Sequence, residues 1–376
     1  MHVNLSPSTA GRPAVFLVRR TRTLRVLAAV LLAAAVVAGC SRADSGGAQS
    51  SPAPANQGPA AELRLGYFPN ITHAPALIGV DKGYFTSQLG GTKLITQQFN
   101  AGGDEVNALL GGSLDAGFIG SSPAINAFAK SKGEAIRVIS GSTSGGAQLV
   151  VRPDISSPEQ LKGQTIATPQ LGNTQDVALK KWLKEHNLAQ DAGGVTVQNL
   201  DNPRTLDLFK TGQVAGGWLP EPWSSRLVDA GAKVLVDEKS LWPNGQFPTT
   251  VLIVRTDYLR QHPDTVDALL RGTQQAVDFA NANPAEAKTV TNNAIKQLTG
   301  ASLAPPVLDR AFSELSFGVD PLAATFPQLS KDSVTAGATP TETQLDGFID
   351  VTELNKVLQA AGKPAVDAAG LDKAQR

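Results

Sequence analysis

Residues 63–80, LRLGYFPNITHAPALIGV, decide the fold of this chain. Leu63 to Phe68 has the short apolar composition of a buried β-strand, a loop with two prolines follows, and Ala74 to Val80 reads as a helix. Further short strands are predicted at 93–99 and 114–119, each followed by a helical stretch. Short apolar strands that alternate with helices predict an α/β protein whose mostly parallel sheet is covered by helices.

The same pattern recurs later in the chain, which predicts two lobes. GSLDAGFI at 112–119 aligns without gaps on GQVAGGWL at 212–219. Extended runs at 148–152 and 249–255 enclose the second copy, so we expect two crossings between the lobes. The predicted division is listed here by residue number: 62–151 and 251–376 form lobe I, which is discontinuous, and 152–250 form the inserted lobe II.

The N-terminal residues have the layout of a lipoprotein signal. Several arginines precede an apolar run from Val26 to Ala38, and the only cysteine of the chain follows in Val37-Ala38-Gly39-Cys40. A membrane anchor is the alternative, but the apolar run is shorter than the ~20 residues of a spanning helix. We expect a signal peptide over 1–39, lipidation of Cys40 with palmitate among the acyl chains, and extracytoplasmic attachment to the cell membrane.

The segment after Cys40 and the export route complete this expectation. Residues 40–61 are rich in Ser, Gly, Pro and Ala, which predicts a flexible linker. Arg19-Arg20 is compatible with twin-arginine export, whereas the polar Thr21-Arg22-Thr23 that follows favours the general secretory route.

Composition excludes several classes of function. Lys+Arg and Asp+Glu both number 33, so the formal net charge is zero and nothing indicates a nucleic-acid partner. One cysteine permits no disulfide framework, and the four histidines lack metal-ligand spacing. We therefore expect no metal and no cofactor.

Polar side chains follow the predicted strands at the points where helices begin. In open α/β sheets, ligands bind outside the carboxyl ends of the strands, where helix N-termini offer free N–H groups to anions. The candidate ligand-binding residues at these points are Asn70, His73, Ser121, Ser122, Thr143, Ser144, Asn173 and Thr174. Each of them has a structural alternative as a helix cap, and His73 either donates to a ligand or caps its helix and faces water.

Glu221-Pro222-Trp223 adds a different chemistry to the candidate site. Trp223 offers a flat apolar wall for an alkyl chain. Glu221 is a poor neighbour for a bare anion, and three roles remain open for it. It could hold an amine, pair with Arg226, or cap the following helix.

Several of these motifs carry a resemblance to a known family. The stretches LGYFPNITHAPALIGVDKGYF, ALLGGSLDAGFIGSSPAINA, LKGQTIATPQLGNTQDVALKKWL and GWLPEPW resemble the aliphatic-sulfonate/nitrate/taurine-binding proteins of ABC importers. The resemblance implies a type II periplasmic-binding-protein fold, with two α/β lobes joined by two extended crossings. It also implies a small anionic or zwitterionic ligand in the cleft.

Function follows from this resemblance as an expectation. The chain would capture an aliphatic sulfonate and deliver it to an ABC permease with its ATPase, acting as a monomer. Taurine, nitrate, bicarbonate or a thiamine precursor are alternative ligands. A sensor lipoprotein and an enzyme on the same fold are the alternative classes. The sequence contains no nucleophile–base pair that can be argued from spacing, so we expect no enzyme.

Overall fold

The computed structural model describes residues 56–189 and 193–373, and all structural statements below concern these residues. The predicted signal peptide, Cys40 and nearly all of the linker lie outside the described residues. Within the described part, no helix is both long enough and apolar enough to cross a membrane.

The described residues form strands and helices in alternation. The strands are β1 Glu62–Tyr67, β2 Lys93–Gln98, β3 Ala116–Ile119, β4 Ile136–Gly145, β5 Ala147–Val151, β6 Thr165–Thr168, β7 Thr196–Asn199, β8 Gly216–Pro220, β9 Lys233–Asp237, β10 Pro248–Arg255 and β11 Leu315–Phe317. The helices are α1 Ala74–Asp81, α2 Tyr84–Leu89, α3 Gly102–Leu110, α4 Ser121–Lys130, α5 Thr174–Glu185, α6 Asn202–Lys210, α7 Trp223–Asp229, α8 Thr256–Gln261, α9 Pro263–Ala282, α10 Pro284–Thr299, α11 Pro305–Ser313, α12 Phe326–Thr335 and α13 Thr352–Ala360. The α/β class predicted from the sequence is confirmed.

The strands form two sheets, which share one topology over five strands; β11 is an additional edge strand of the first sheet. The first sheet has the order β11-β4-β10-β3-β1-β2, and the second has the order β7-β6-β8-β5-β9. In the first sheet β1 is parallel to β2 and β3, while β10 runs antiparallel to β3. In the second sheet β6 is parallel to β7 and β8, while β5 runs antiparallel to β8. The aligned sequence at 112–119 contains β3, and the one at 212–219 contains most of β8. These two strands occupy equivalent positions in the two sheets.

The chain passes between the sheets at two places. Gly146 separates β4 of the first sheet from β5 of the second, and residues 238–247 connect β9 of the second sheet to β10 of the first. The crossings predicted from the sequence, at 148–152 and 249–255, coincide with the strands β5 and β10 and not with the connections between the sheets. If each sheet is taken as the centre of one lobe, the first boundary moves from 151 to Gly146. The strand pattern alone could not reveal this, because an apolar strand fits either sheet.

Alternating side chains of the strands supply separate apolar cores. On β5, Leu149 and Val151 pack in one cluster with Trp182 and Trp218, whereas Val150 faces a cluster with Leu208. Both faces of the second sheet are therefore buried, which explains its continuous apolar sequence. The first sheet lies in a larger core that also contains residues of α9, α10 and α13.

A close contact inside the first sheet requires glycine. A Cβ atom on Gly117 would lie 2.1 Å from Oε1 of Glu105, which is itself fully buried. Neither carboxyl oxygen of Glu105 has a hydrogen-bond partner in the protein, and burial raises the pKa of Glu105 well above its ordinary value. Burial without a hydrogen-bond partner therefore favours the neutral form of the Glu105 carboxyl.

The start of the described chain is bonded to the helices behind the first sheet. Gln57 N–H donates to the carbonyl of Gln261 (2.8 Å), and Ala60 N–H donates to Oγ1 of Thr265 (2.8 Å). His262 Nδ1 lies 2.8 Å from the carbonyl oxygen of Gly58. These bonds lie at the amino end of β1, the end remote from the loop at Asn70.

Candidate functional site

A small polar cavity lies where the strands of both sheets end. Its volume is about 40 Å³. From the first sheet it is lined by residues that follow β1, β2 and β3, and from the second by residues that follow β6 and β7. We call it the polar cavity, and its side-chain donors and acceptors are Asn70, Thr72, His73, Asn100, Asn173, Thr174, Gln175, Asn202, Thr249 and Thr250.

Among the predicted residues, Asn70, His73, Asn173 and Thr174 line this cavity directly. Asn70 and His73 come from the loop after β1, and Asn173 and Thr174 stand at the N-terminus of α5. The four therefore approach from different sheets, as the rule for strand ends predicts. Within the part of the chain that the structure describes, no Asp or Glu lines the polar cavity.

His73 is held in a defined protonation state. Its ring stacks on Phe68 with a centroid separation of 4.4 Å, and its Nδ1 accepts a hydrogen bond from the Phe68 N–H at 3.3 Å. Burial lowers the pKa of His73 to about 3. The neutral ring therefore carries its proton on Nε2, which makes His73 a hydrogen-bond donor without a charge.

Ser121 and Ser122 begin α4 next to the polar cavity, between the lining residues Gly120 and Pro123. Both serines are completely buried, and neither hydroxyl has a hydrogen-bond partner in the protein. The Ser122 N–H reaches Oγ1 of Thr174 at 3.4 Å, so the N-termini of α4 and α5 meet here. Two helix N-termini that converge on one polar space create a positive potential suited to an anion.

Thr143 and Ser144 lie beside the cavity and do not line it. Thr143 is paired with Thr250 of β10, and the hydroxyls of both threonines are buried without a partner in the protein. Thr250 lines the polar cavity, whereas the Oγ of Ser144 accepts the N–H of Phe247 at 3.2 Å. Ser144 therefore has a structural hydrogen bond.

Glu221 does not line the polar cavity, and its carboxylate has partners in the folded chain. Its Oε1 pairs with Nη1 of Arg310 at 3.0 Å, and its Oε2 accepts the Ser225 N–H at 3.2 Å. The predicted helix-capping role agrees with the second contact, but the ion-pair partner is Arg310 and not Arg226. Glu221 is completely buried and lines neither the polar cavity nor the cavity beside Trp223, so its carboxylate is not exposed to a ligand in either of them.

Trp223 lines a second cavity of about 250 Å³, which we call the tryptophan cavity. Asn70, Asn100 and Asn202 line both cavities, so the two are neighbours. The indole Nε1–H of Trp223 donates to Oδ1 of Asn70 at 3.1 Å. Arg226 lies over the indole ring, with its Cζ 4.5 Å from the ring centroid.

Asn100, Asn202, Gln175 and Thr250 were missed in the sequence analysis. Asn100 lies two residues after the end of β2, and Asn202 stands at the first position of α6 after β7. The rule that selected Asn70 would have found both residues, had it been applied to these two strand ends. Gln175 lies one residue beyond the predicted Thr174, and Thr250 lies inside β10. No local sequence signal marks either residue.

A larger cavity among the described residues lies elsewhere. It has a volume of about 840 Å³ and is lined by the end of α4 and the loop 337–347, with Lys130 and Lys132 at its rim. None of the predicted site residues lines it, and of the loops that follow strand ends only the one after β6 contributes, through Leu171 and Gly172. We take the polar cavity as the candidate site because buried polar groups of both sheets converge there. No cluster of His, Cys, Asp and Glu suited to a metal occurs in the described part of the chain.

Comparisons with known proteins agree with this arrangement. The model of the NMT1-like family matches residues 56–295. The taurine-binding periplasmic protein of Escherichia coli is 29% identical over 213 residues, which cover 56% of this chain and 64% of that protein. The bicarbonate-binding protein CmpA of Synechococcus is 25% identical over 295 residues, 69% of this chain and 62% of that protein. The matches thus span less than two thirds of these two relatives.

Solved structures share the fold. The nitrate-binding protein NrtA from Synechocystis superimposes with a TM-score of 0.70 at 15% identity, covering 81% of this chain and 91% of that one. The alkanesulfonate-binding protein SsuA from Xanthomonas axonopodis, bound to MOPS, gives a TM-score of 0.64 at 21% identity, with coverages of 76% and 96%. The predicted periplasmic-binding-protein fold is confirmed.

Proposed function

Because the chain belongs to the NMT1-like family, we propose that it is the extracytoplasmic substrate-binding component of an ABC importer and not an enzyme. It captures a small anion, an aliphatic sulfonate in the first instance, and delivers it to a permease driven by an ATPase. Relatives that bind taurine and bicarbonate and neighbours of the same fold that bind alkanesulfonates and nitrate support this class of ligand.

The observation that carries the proposal is the chemistry of the polar cavity. It offers a neutral histidine donor, amides and hydroxyls from both sheets, beside two helix N-termini, and it lacks an acidic wall. A sulfonate or nitrate needs several donors and no proton exchange. Micromolar affinity corresponds to about 8 kcal/mol, so several of these donors must act together.

The same arrangement suggests how binding is coupled to delivery. Donors on the two sheets approach one ligand, so a bound anion bridges the halves and favours their closure about Gly146 and residues 238–247. We propose that the two lobes are the bodies that close, and that the permease recognises the closed form. Small-angle scattering should then give a smaller radius of gyration with saturating ligand.

Thr250→Val tests the site directly. The Thr250 hydroxyl lines the cavity and has no partner in the protein, so its removal should leave the fold intact. Loss of one buried hydrogen bond to a ligand should weaken binding of ethanesulfonate or nitrate roughly 5- to 150-fold in calorimetry.

Thr291→Val is the matched control. Its hydroxyl is also buried without a partner in the protein, but it lies on α10 and lines neither cavity. The control should bind as the wild type does. Equal affinities in both variants would place the ligand elsewhere, and a wild-type chain that binds neither ethanesulfonate nor nitrate would refute the function.

The anchor belongs to the same proposal. We propose that Cys40 is acylated after cleavage behind Gly39 and that the chain acts as a membrane-attached monomer. The sequence Val37-Ala38-Gly39-Cys40 supports acylation, and the extracytoplasmic location of the taurine-binding relative supports the compartment.

A further inference from the structure

The two neighbouring cavities differ in size and in charge. The polar cavity has about 40 Å³, and one water needs about 10–15 Å³ of such volume. It can therefore hold the head of a sulfonate, but not the chain attached to it. The tryptophan cavity has about 250 Å³ and meets the polar cavity along Asn70, Asn100 and Asn202. A ligand longer than its head must extend across this shared edge.

Among the described residues, Arg226 is the only charged one that lines the tryptophan cavity. It stacks on Trp223 and takes part in none of the ion pairs found among the described residues. Burial lowers the pKa of Arg226, with no carboxylate nearby to offset this, and the guanidinium still remains charged at neutral pH. An uncompensated and partly buried cation is costly to a fold, so such a group points to a binding role.

The shared edge also contains a buried polar group that lacks a partner. Asn202 is 6% exposed, and its carboxamide oxygen has no hydrogen-bond partner in the protein. It belongs to the walls of both cavities. A polar group at this edge suits a ligand that is polar at both ends better than one with a purely apolar tail.

We propose that the tryptophan cavity is a second subsite, which binds the negatively charged far end of a ligand whose sulfonate occupies the polar cavity. The ligand class is a short alkanesulfonate with a terminal carboxylate, its chain packed on Trp223 and its carboxylate paired with Arg226. This inference rests on the proposed function and deepens it. A terminal amine would instead be repelled by Arg226. It would find no carboxylate to pair with among the described residues that line the two cavities, and Glu221 is paired with Arg310.

Three ligands of equal chain length test the subsite on the full-length wild-type chain. Calorimetry compares 3-sulfopropanoate, 1-propanesulfonate and 3-aminopropane-1-sulfonate, which end in a negative, a neutral and a positive group. We expect affinity to fall in this order, with roughly tenfold or more between the first two because charge-assisted hydrogen bonds to Arg226 are gained. Equal or reversed affinities of 3-sulfopropanoate and 1-propanesulfonate would overturn the subsite.

Arg226→Gln identifies the residue responsible. It should weaken 3-sulfopropanoate roughly 10- to 100-fold and change 1-propanesulfonate by less than about twofold. Arg226→Lys should restore part of the loss, since a lysine keeps the charge but not the bidentate geometry. Arg204→Gln is the matched control, because Arg204 is exposed on α6 and lines neither cavity.

The outcomes separate this inference from the function beneath it. A uniform loss for all three ligands in Arg226→Gln would mean general electrostatic attraction and would overturn the subsite alone. A wild-type chain that binds none of the three ligands and no nitrate would overturn the proposed function, and the subsite with it.

Discussion

The ion pair between Glu221 and Arg310 should be a large local contribution to stability. The Glu221 side chain is 0% exposed and that of Arg310 is 22% exposed. Arg310 also donates to Oγ of Ser225 at 2.7 Å and to Oε1 of Gln148, so α11 is joined to α7 and β5 through one guanidinium. Arg310→Met removes this group and leaves a buried carboxylate without a cationic partner, next to the Ser225 N–H and the hydroxyls of Ser224 and Ser225.

The size of the loss follows from the protonation of Glu221. Without Arg310 the carboxyl would take up a proton in the folded protein, because burial already raises its pKa. Holding that proton costs about 1.4 kcal/mol for each pH unit above the pKa that Glu221 has in the wild-type fold, which burial already raises above 4.5, so this cost stays below about 3.5 kcal/mol at pH 7. The hydrogen bonds of Arg310 to Ser225 and Gln148 are lost as well, and about 3 kcal/mol is the lower end of the range expected when one partner of a buried pair is removed.

The sign of the pH dependence is fixed by the same argument. In Arg310→Met the unfolded chain releases the proton above pH 4.5 and the folded chain retains it, so the deficit grows as the pH rises. Urea unfolding followed by tryptophan fluorescence should give a smaller deficit relative to wild type at pH 5 than at pH 7. The double variant Glu221→Gln/Arg310→Met has no carboxylate to neutralise and should recover about 2 kcal/mol at pH 7.

An exposed pair between the neighbouring helices serves as control. Lys288 on α10 bonds Asp309 on α11 at 2.6 Å, and the Asp309 side chain is 65% exposed. Lys288→Met should therefore cost less than about 1 kcal/mol. A loss below about 1 kcal/mol for Arg310→Met, or one that does not change with pH, would refute the reasoning.

Three further predictions concern titration and anchoring. Burial holds the pKa of His73 at about 3, so affinity for nitrate should change less than about twofold between pH 5.5 and 8.5; a steep rise on acidification would show that His73 titrates. Burial raises the pKa of Glu238 to about 8 from 4.5, and its Oε2 accepts the Nε1–H of Trp218 at 2.7 Å. Glu238→Gln keeps an acceptor and should raise the free energy of unfolding by up to about 4 kcal/mol at pH 8 but little at pH 5; an equal gain at both pH values would contradict this. Cys40→Ser should leave the chain unprocessed or release it from membranes in a fractionation experiment, and a processed, membrane-bound variant would exclude lipidation.

Local patterns in the sequence predicted most of the elements around the site. The helix predicted at 74–80 is observed at Ala74–Asp81, and the strand predicted at 93–99 is observed at Lys93–Gln98. Both depend on the composition of adjacent residues and on a nearby turn, which a sequence contains. The rule that polar groups gather at strand ends then led to Asn70, His73, Asn173 and Thr174 without knowledge of the fold.

Long-range contacts account for what the sequence analysis missed. Arg310 lies 89 positions from Glu221, so nothing near Glu221 indicates that its charge is already compensated. The helix that contains Arg310 was itself not predicted. Similarly, the composition of β5 fits either sheet, and only its pairing with β8 and β9 assigns it to the second. Pairing partners and ion-pair partners are properties of the folded chain.

The hydrogen bonds of Gln57, Gly58 and Ala60 decide where the proposed linker to the membrane joins the folded part of the chain. They hold the chain at the amino end of β1, and six residues of strand, about 20 Å, separate this end from the loop at Asn70. A force transmitted along the proposed linker acts on α8 and α9 before it acts on the polar cavity. The body can therefore turn about its attachment with its binding groups undisturbed. The length of the linker, rather than the abundance of the protein, then sets the local concentration of binding sites that the permease encounters.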